Sequence, residues 1–260
     1  MKKTLSFVLI VSLLFGTLCG CKKESTDYVI SEYDHESVIE ISNANSANES
    51  ETDKNNTYIV KEKKFVYNGT ELIILDVKND TSQNHSVTIT GVYLDENGKE
   101  LKTETKNFDQ FYAGYQNYFL FNPGIAFSKF TYTLETNDTD QTMYTKDVNF
   151  KLQKVEKTLA PIMSQIQQGD FEKYPSVIAE YTFSNSSSTK LQSTLTIILY
   201  NESDEIIAMV DQNFALSAGL EFGSEYKNLN IYQTMEPEPD WPEWVDENIK
   251  AIFCINDVTT

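Results

Sequence analysis

From Thr57 onward, short apolar runs alternate with polar turn clusters. Tyr58 to Val66, Leu72 to Val77, Val87 to Leu94, Phe108 to Phe111 and Phe130 to Leu134 are rich in Val, Ile, Thr, Tyr and Phe. Such side chains suit a pleated, half-buried surface. Asn-Gly, Asn-Asp-Thr-Ser and Asp-Glu-Asn-Gly clusters separate the runs, and Asn97-Gly98 between two of them is a strong hairpin signal. Within the runs the period is two. Ile89 and Tyr93 fall on one face with Thr88 and Thr90 opposite, and Phe130, Tyr132 and Leu134 share a face in the same way.

The second half of the chain repeats this order. Val77-Lys78-Asn79-Asp80-Thr81-Ser82 lies over Phe183-Ser184-Asn185-Ser186-Ser187-Ser188, 106 positions on. At the same displacement Thr88 to Glu96 lies over Thr194 to Glu202, and Asn107-Phe108 over Asn213-Phe214. Ala113-Gly114 matches Ala218-Gly219 after one deletion, and Lys129 to Glu135 answers Lys250 to Asn256. Leu195, Ile197 and Leu199 alternate with Thr194 and Thr196, and Ala251, Phe253 and Ile255 form a further period-two set. The chain is a tandem duplication. Several strands per copy without long crossover helices predict two antiparallel, immunoglobulin-like β-sandwiches.

Two segments depart from the strand pattern. Val155, Leu159, Ile162, Met163 and Ile166 fall at helical spacing, with Pro161 inside, which predicts a short helix beginning near Leu159. Glu236-Pro-Glu-Pro-Asp-Trp-Pro-Glu-Trp is an insertion in the second copy alone, where Asp240 and Glu243 are placed to cap a helical turn running to Ile249. Its indoles, Trp241 and Trp244, have two readings. They stack on a sugar or clasp a peptide, or they cap one end of the second sandwich with both rings buried. The second is favoured.

Residues 22–57 carry nine acids against three lysines and few large apolar side chains, a composition unable to bury a core. They read as a disordered tether, about 30–36 Å across as a random coil. Tyr28-Val29-Ile30 and Val38-Ile39-Glu40-Ile41 interrupt it as apolar islets, read as transient structure in preference to strands.

Before the tether, Lys2 and Lys3 precede an apolar stretch, Leu5 to Leu18, that is short for a membrane span of about 20 residues. Leu18-Cys19-Gly20-Cys21 closes it, and residues 1–21 resemble a bacterial lipoprotein signal. The family pattern is Leu, a small residue, Gly or Ala, then Cys, and Cys19 at the small position is a mild departure. The resemblance implies cleavage after Gly20 and a thioether-linked diacylglycerol on Cys21. Each buried methylene contributes about 0.8 kcal/mol, so two acyl chains anchor durably where one is marginal. The implied partner is a lipid bilayer, reached through diacylglyceryl-Cys21 at the extracytoplasmic face. The expected organisation is a signal over 1–20, a lipidated cysteine and tether over 21–57, a first sandwich over 58–153, a connector over 154–169 and a second sandwich over 170–260.

Composition narrows the chemistry. Formal net charge is −18, and loss of Lys2 and Lys3 with the signal takes it to about −20. Every cation other than histidine is lysine. A surface without arginine forks and with this charge repels phosphate backbones, so nucleic acid is excluded as a partner. Of the three cysteines, Cys19 leaves with the signal and Cys21 takes lipid. Cys254 is left alone, and hydrophobic cores must replace disulfides.

Each copy also resembles the FxLYD domain, a β-sandwich module of bacterial extracellular proteins and lipoproteins. Ile197-Ile198-Leu199-Tyr200-Asn201 and, more loosely, Gly91-Val92-Tyr93-Leu94-Asp95 match its name-giving strand and turn. Its Asn-Ser-rich turn is matched near Asn79 and Asn185, and its Pro-Gly turn by Ala113-Gly114 and Ala218-Gly219. The similarity covers nearly all of residues 60–135 and 170–257, although the leading Phe is absent from both copies. It implies a fold and no activity.

No constellation for catalysis or metal binding emerges. His35 lies in the tether and His85 in an expected turn, without zinc spacing. Asp95-Glu96-Asn97-Gly98 lacks the remaining ligands of a calcium loop, and Asn137-Asp138-Thr139-Asp140 likewise reads as a turn. Cys254 sits in an expected strand at the place of Thr133 in the first copy, a packing position. Neither cofactor nor metal is expected. The expected function is a non-enzymatic, membrane-anchored binding or spacer module for a cell-wall, glycan or protein ligand, with an accessory solute-binding lipoprotein of a transport system as the alternative.

Overall fold

The structure, a computed structural model, describes residues 35–40, 57–161, 173–231, 241–242, 244 and 247–260. Among these the regular elements are β-strands, with a short 3-10 turn at Tyr144–Asp147 and 3-10 conformation again at Trp244. Strands β1 (His35–Glu40), β2 (Thr57–Tyr67), β3 (Thr70–Asn79), β4 (His85–Leu94), β5 (Glu100–Phe111), β6 (Gln116–Phe121) and β7 (Lys129–Asp138) come first. Then follow β8 (Val148–Pro161), β9 (Lys173–Asn185), β10 (Leu191–Tyr200), β11 (Ile206–Leu216), β12 (Leu220–Ile231) and β13 (Lys250–Thr259). The chain divides into two compact units, the second made of Thr142–Thr260 together with Phe65–Tyr67.

Each unit is an antiparallel sandwich. In the first, the sheet β1-β2-β3-β6 faces the sheet β5-β4-β7; in the second, β8-β9-β12 faces β11-β10-β13. The chain crosses between sheets after β3 and after β5, and its duplicate does so after β9 and β11. The repeat extends to register. Thr90 pairs with Thr133 in the first unit and Thr196 with Cys254 in the second. Cys254 is buried there, at the position its counterpart Thr133 indicated.

Alternation holds where the sequence shows it. Ile89 and Tyr93 are fully buried while Thr88 and Thr90 are half exposed. Leu195, Ile197 and Leu199 join Tyr181, Phe214 and Val258 in the core of the second unit. β10 is buried without interruption from Leu195 to Tyr200, so its run is continuous where that of β4 alternates.

The two cores are filled differently. Tyr58, Phe108, Phe111, Phe119, Phe121 and Phe130 crowd the first, and Phe111 meets Tyr58 and Phe119 from the opposing sheet at centroid distances of 5.8 and 6.1 Å. A side chain at Gly91 would place its Cβ 2.6 Å from the Phe130 ring and 2.9 Å from Phe121. The second copy has Ile197 in place of Gly91 and Ala251 in place of Phe130. Volume lost at one position is regained at its neighbour, as close packing requires.

Both β4-β5 and β10-β11 hairpins turn through three residues. Asp95 N–H donates to the Lys99 carbonyl at 2.9 Å and Gly98 N–H to the Asp95 carbonyl at 3.1 Å. Asn201 and Glu205, then Asp204 and Asn201, repeat these bonds at 3.1 Å each. The Asp95 carboxylate is engaged by the N–H groups of Asn97 and Lys99, as a hairpin turn requires. The third turn residue is left-handed, with φ of 79° at Gly98 and 61° at Asp204.

Several expectations are corrected. Val38 and Ile39 belong to β1, which pairs antiparallel with β2 from His35 opposite Glu62 to Glu40 opposite Thr57. This part of the expected tether is therefore a strand, because the edge of β2 offers it backbone partners. The helix expected near Leu159 is instead the end of β8, paired with β9 through Leu159 opposite Pro175. Val155 and Leu159, four apart, satisfy a strand period as well as a helical one. β8 belongs to the second unit, so the division falls after Gln141 and not near residue 153. No helix reaches Ile249, which packs on the second core just before β13. Asn137 and Asp138 end β7 and do not form a turn. Residues 1–34, including Gly20, Cys21 and Tyr28 to Ile30, lie outside the described residues, as do Ile162, Met163 and Ile166.

Asn79 and Asn185 close the corners where the chain changes sheet. Asn79 is fully buried, and its Nδ2 donates to the carbonyls of Gln83 at 2.9 Å, Phe111 at 3.1 Å and Tyr112 at 3.1 Å. Its Oδ1 accepts from the Thr81 N–H at 3.0 Å and the Thr81 hydroxyl at 2.7 Å. Asn185 makes the same set with Thr189, Leu216, Ser217 and Ser187. One amide thus ties the end of β3 to the start of β4 and the end of β5, in opposite sheets.

Replacing Asn79 or Asn185 by Ala is expected to cost about 3 kcal/mol, because each substitution orphans buried carbonyls. The near-isosteric Asp should cost at least as much, since it removes every donor. Urea denaturation checks both. Asp204→Gly relieves a left-handed side chain and should gain about 0.5 kcal/mol by the same measurement.

Candidate functional site

Three places in the described residues bring polar or aromatic groups together: a small surface cavity, a buried tyrosine–histidine pair reaching an exposed aspartate, and the tryptophan insertion.

The cavity lies on the first unit, about 200 Å³ in volume, lined by Ile59, Lys61, Asp76, Lys78 and Gln116. Alternation along β2, β3 and β6 sends these side chains to the face of the sheet away from the core. Asp76 is only 3 % exposed, and its Oδ1 accepts from Gln116 Nε2 at 2.6 Å. The Lys78 ammonium is held at 2.7 Å by Asp80. Two cations, one buried carboxylate and one amide suit a small zwitterionic or carboxylate-bearing molecule. They supply no nucleophile. At the matching positions the second unit has Thr182 for Asp76 and Ser184 for Lys78, so the buried carboxylate and the Lys78 cation are particular to the first copy.

The buried pair is joined at His85, which lies at the head of β4 and not in a turn. Tyr58 Oη is 2.7 Å from His85 Nδ1, and His85 Nε2 is 3.4 Å from Asp138 Oδ1. A carboxylate only accepts, so Nε2 carries the proton and Nδ1 accepts from the phenol. The order of groups resembles a nucleophile, base and orienting acid, but Tyr58 is fully buried and burial raises its phenol far above the ordinary value. Its role is a hydrogen-bonded link between β2 in one sheet and β4 and β7 in the other.

Two further phenols, Tyr115 and Tyr181, are buried with no partner for the hydroxyl among the described residues. Burial pushes Tyr181 up to about 12. Leu220 and Leu75 occupy the corresponding positions of the other copy, so both phenols are core fillers rather than reactive groups.

Trp241 and Trp244 are both partly buried. The Lys157 ammonium of β8 sits 5.6 Å from the centre of a Trp241 ring, a cation–π contact. The Trp244 carbonyl accepts from the Glu247 N–H at 3.1 Å. A partner within its own unit supports the packing reading of Trp241, although neither ring is fully enclosed as that reading expects. Among the described residues, no three of His, Cys, Asp and Glu come together to hold a metal ion. No helix there is long and apolar enough to cross a membrane. Neither a family model nor a curated protein sequence matches the chain.

Sequence reasoning missed Asp76 and the role of His85. His85 gave one available signal, a lone histidine directly before a strongly alternating strand. Asp76 gave none, because acids occur throughout this chain.

The His85 link makes stability depend on pH. Burial lowers the imidazole below its ordinary value of 6.5, opposed by the charge of Asp138 and its hydrogen bond. Above that value both folded and unfolded chains hold the ring neutral and the contribution is complete. As pH falls below 6.5 the unfolded chain takes up a proton that the folded one refuses, and stability declines. His85→Gln should flatten this part of the curve of melting temperature against pH, while carboxylate titration below about pH 5 remains.

Proposed function

We propose that this chain is a lipid-anchored, non-enzymatic binding or spacer module of the bacterial cell exterior, held at the extracytoplasmic face of a membrane through Cys21. The observation that carries the reading is Leu18-Cys19-Gly20-Cys21 after a short apolar stretch with a basic start. Its similarity to lipoprotein signals implies two acyl chains at the new N-terminus, and two suffice for durable attachment. The paired sandwiches support the same reading. Their most elaborate polar clusters, at Asn79 and Asn185, are spent on closing the fold. The FxLYD resemblance of both copies, a module of extracellular proteins and lipoproteins, accords with a surface role.

The cavity at Lys61, Asp76, Lys78 and Gln116 favours a second reading, an accessory solute-binding lipoprotein of a transport system. A titration calorimetry series with small zwitterions and carboxylates tests it. Heat that disappears in Asp76→Asn supports it; an absence of heat across the series removes it.

For the anchor, Cys21→Ser should leave the signal uncleaved by a lipoprotein peptidase and the chain unlipidated. The native protein is expected in the membrane fraction, with an N-terminal peptide heavier by a diacylglyceryl group in intact-mass analysis. An unmodified Cys21, or native protein released into the medium, would overturn the anchor.

A further inference from the structure

β1 stands outside the repeat that builds the rest of the chain. Asp80 N–H donates to the Thr57 carbonyl at 3.0 Å, and Ser186 N–H to the Asp147 carbonyl at 2.8 Å. Asp80 and Ser186 are equivalent, so β2 corresponds to β8 and the six strands β2–β7 match β8–β13. The chain directly before β8 is already β7 and the 3-10 turn, so the repeat contains no equivalent of β1. β1 is a seventh strand, added to the β2 edge of a sandwich whose fold the other six define.

Its hold on that edge is slight. β1 meets β2 in six register pairs, from His35 opposite Glu62 to Glu40 opposite Thr57. Tyr58 and Val60 are fully buried, so their partners Ile39 and Ser37 fall on the core side, and Ile39 is the one large apolar residue placed there. β3, by comparison, buries Ile73, Leu75 and Val77 completely. Glu36 stands opposite Lys61, where opposite charges favour the register and salt weakens it. A strand secured chiefly by main-chain bonds, with little apolar burial, opens locally while the rest of the fold stays closed.

We propose that β1 is a reversible clasp that gives the protein two reaches from the membrane, short when paired to β2 and long when released. The clasp rests on the anchor at Cys21 put forward in the preceding section. His35 lies 14 residues after Cys21, and Thr57 lies 36 after it. Fully extended, these lengths span at most about 50 Å and about 120 Å. With β1 paired, the first sandwich is fastened at His35 and the shorter limit applies. With β1 released, it is fastened at Thr57 and the longer limit applies. Tension from the lipid enters the ladder at His35 and Glu62, the pair nearest the anchor, and works toward Glu40 and Thr57. A target held beyond the shorter limit therefore draws the clasp open, and the strand closes again when the target is released.

Amide hydrogen exchange on the full chain in detergent reads the clasp without depending on acylation. The β1 amides should exchange about 100-fold faster than those of β4. Glu36→Lys, which sets two lysines opposite each other, should speed β1 about three-fold further and leave β4 unchanged. Successive residues of a strand point their N–H groups to opposite sides, so Val38→Pro with Ile39→Pro removes a bond to β2 whichever residue makes it. That double variant should abolish protection in β1 and move the melting temperature by less than about 3 °C. Exchange of β1 in step with β4, or a large fall in melting temperature, makes β1 part of the fold and overturns the proposal. Reach is read by energy transfer from a donor on Asn97→Cys, at the exposed hairpin tip, to a headgroup dye in phosphatidylcholine vesicles. The native clasp should show a near and a far state. An oxidised His35→Cys, Glu62→Cys pair, at disulfide spacing across the ladder, should show the near state alone, and the double proline variant the far state alone. Equal transfer in those two variants overturns the proposal. Failure of every variant to associate with vesicles overturns the anchor, and the role in reach with it, whatever the exchange rates show.

Discussion

The side-chain amide of a buried asparagine holds each sandwich closed. Two sheets need a rigid corner where the chain passes from one to the other, and the described residues hold no disulfide with which to make it. A side-chain amide offers two N–H donors and a separate carbonyl acceptor on one short side chain. Asn79 uses both capacities, engaging Thr81 through its oxygen and the carbonyls of Gln83, Phe111 and Tyr112 through its nitrogen. Leu has the volume without the bonds, and Asp has the shape without the donors. Buried backbone carbonyls at the end of β5 would otherwise lack partners, which is the costly condition in a core. Asn185 repeats the arrangement with Ser187 in place of Thr81, so a hydroxyl is required there and its methyl group is not.

Around these fixed corners the two copies have diverged freely. Gly91 with Phe130 became Ile197 with Ala251, an exchange that preserves core volume while changing its shape. Gly98 and Asp204 adopt the same left-handed conformation with different steric cost. Polar positions on the outer faces have changed more. The charged cavity of the first unit has neutral side chains at the places of Asp76 and Lys78 in the second, and among the described residues only the first has a further strand, β1, along its edge. Internal duplication therefore separates what the fold requires from what each copy is free to alter.

Strand positions, antiparallel pairing, hairpin placement and the equivalence of the two halves were legible in the residues. Each depends on local periodicity or turn chemistry, which a sequence displays directly. Even the match of Cys254 with Thr133 follows from repeat alignment. The helix near Leu159 was misread because Val155 and Leu159 suit either period, and pairing with β9 decides between them. β1 was read as transient because its islet at Val38 and Ile39 is short and set in an acidic, polar stretch, and pairing with the edge of β2 decides for a strand.

Residue types and their spacing thus determined the class of fold and its duplication. Burial and partnership were decided only in three dimensions. Asn79 looked like ordinary turn chemistry until Phe111 and Tyr112, more than 30 residues away, supplied its acceptors. His85 became a buried link only through Tyr58 and Asp138, from two other strands. The cause is common to both: a hydrogen bond acquires its strength from the removal of water, and which groups lose their water depends on contacts far apart in the chain.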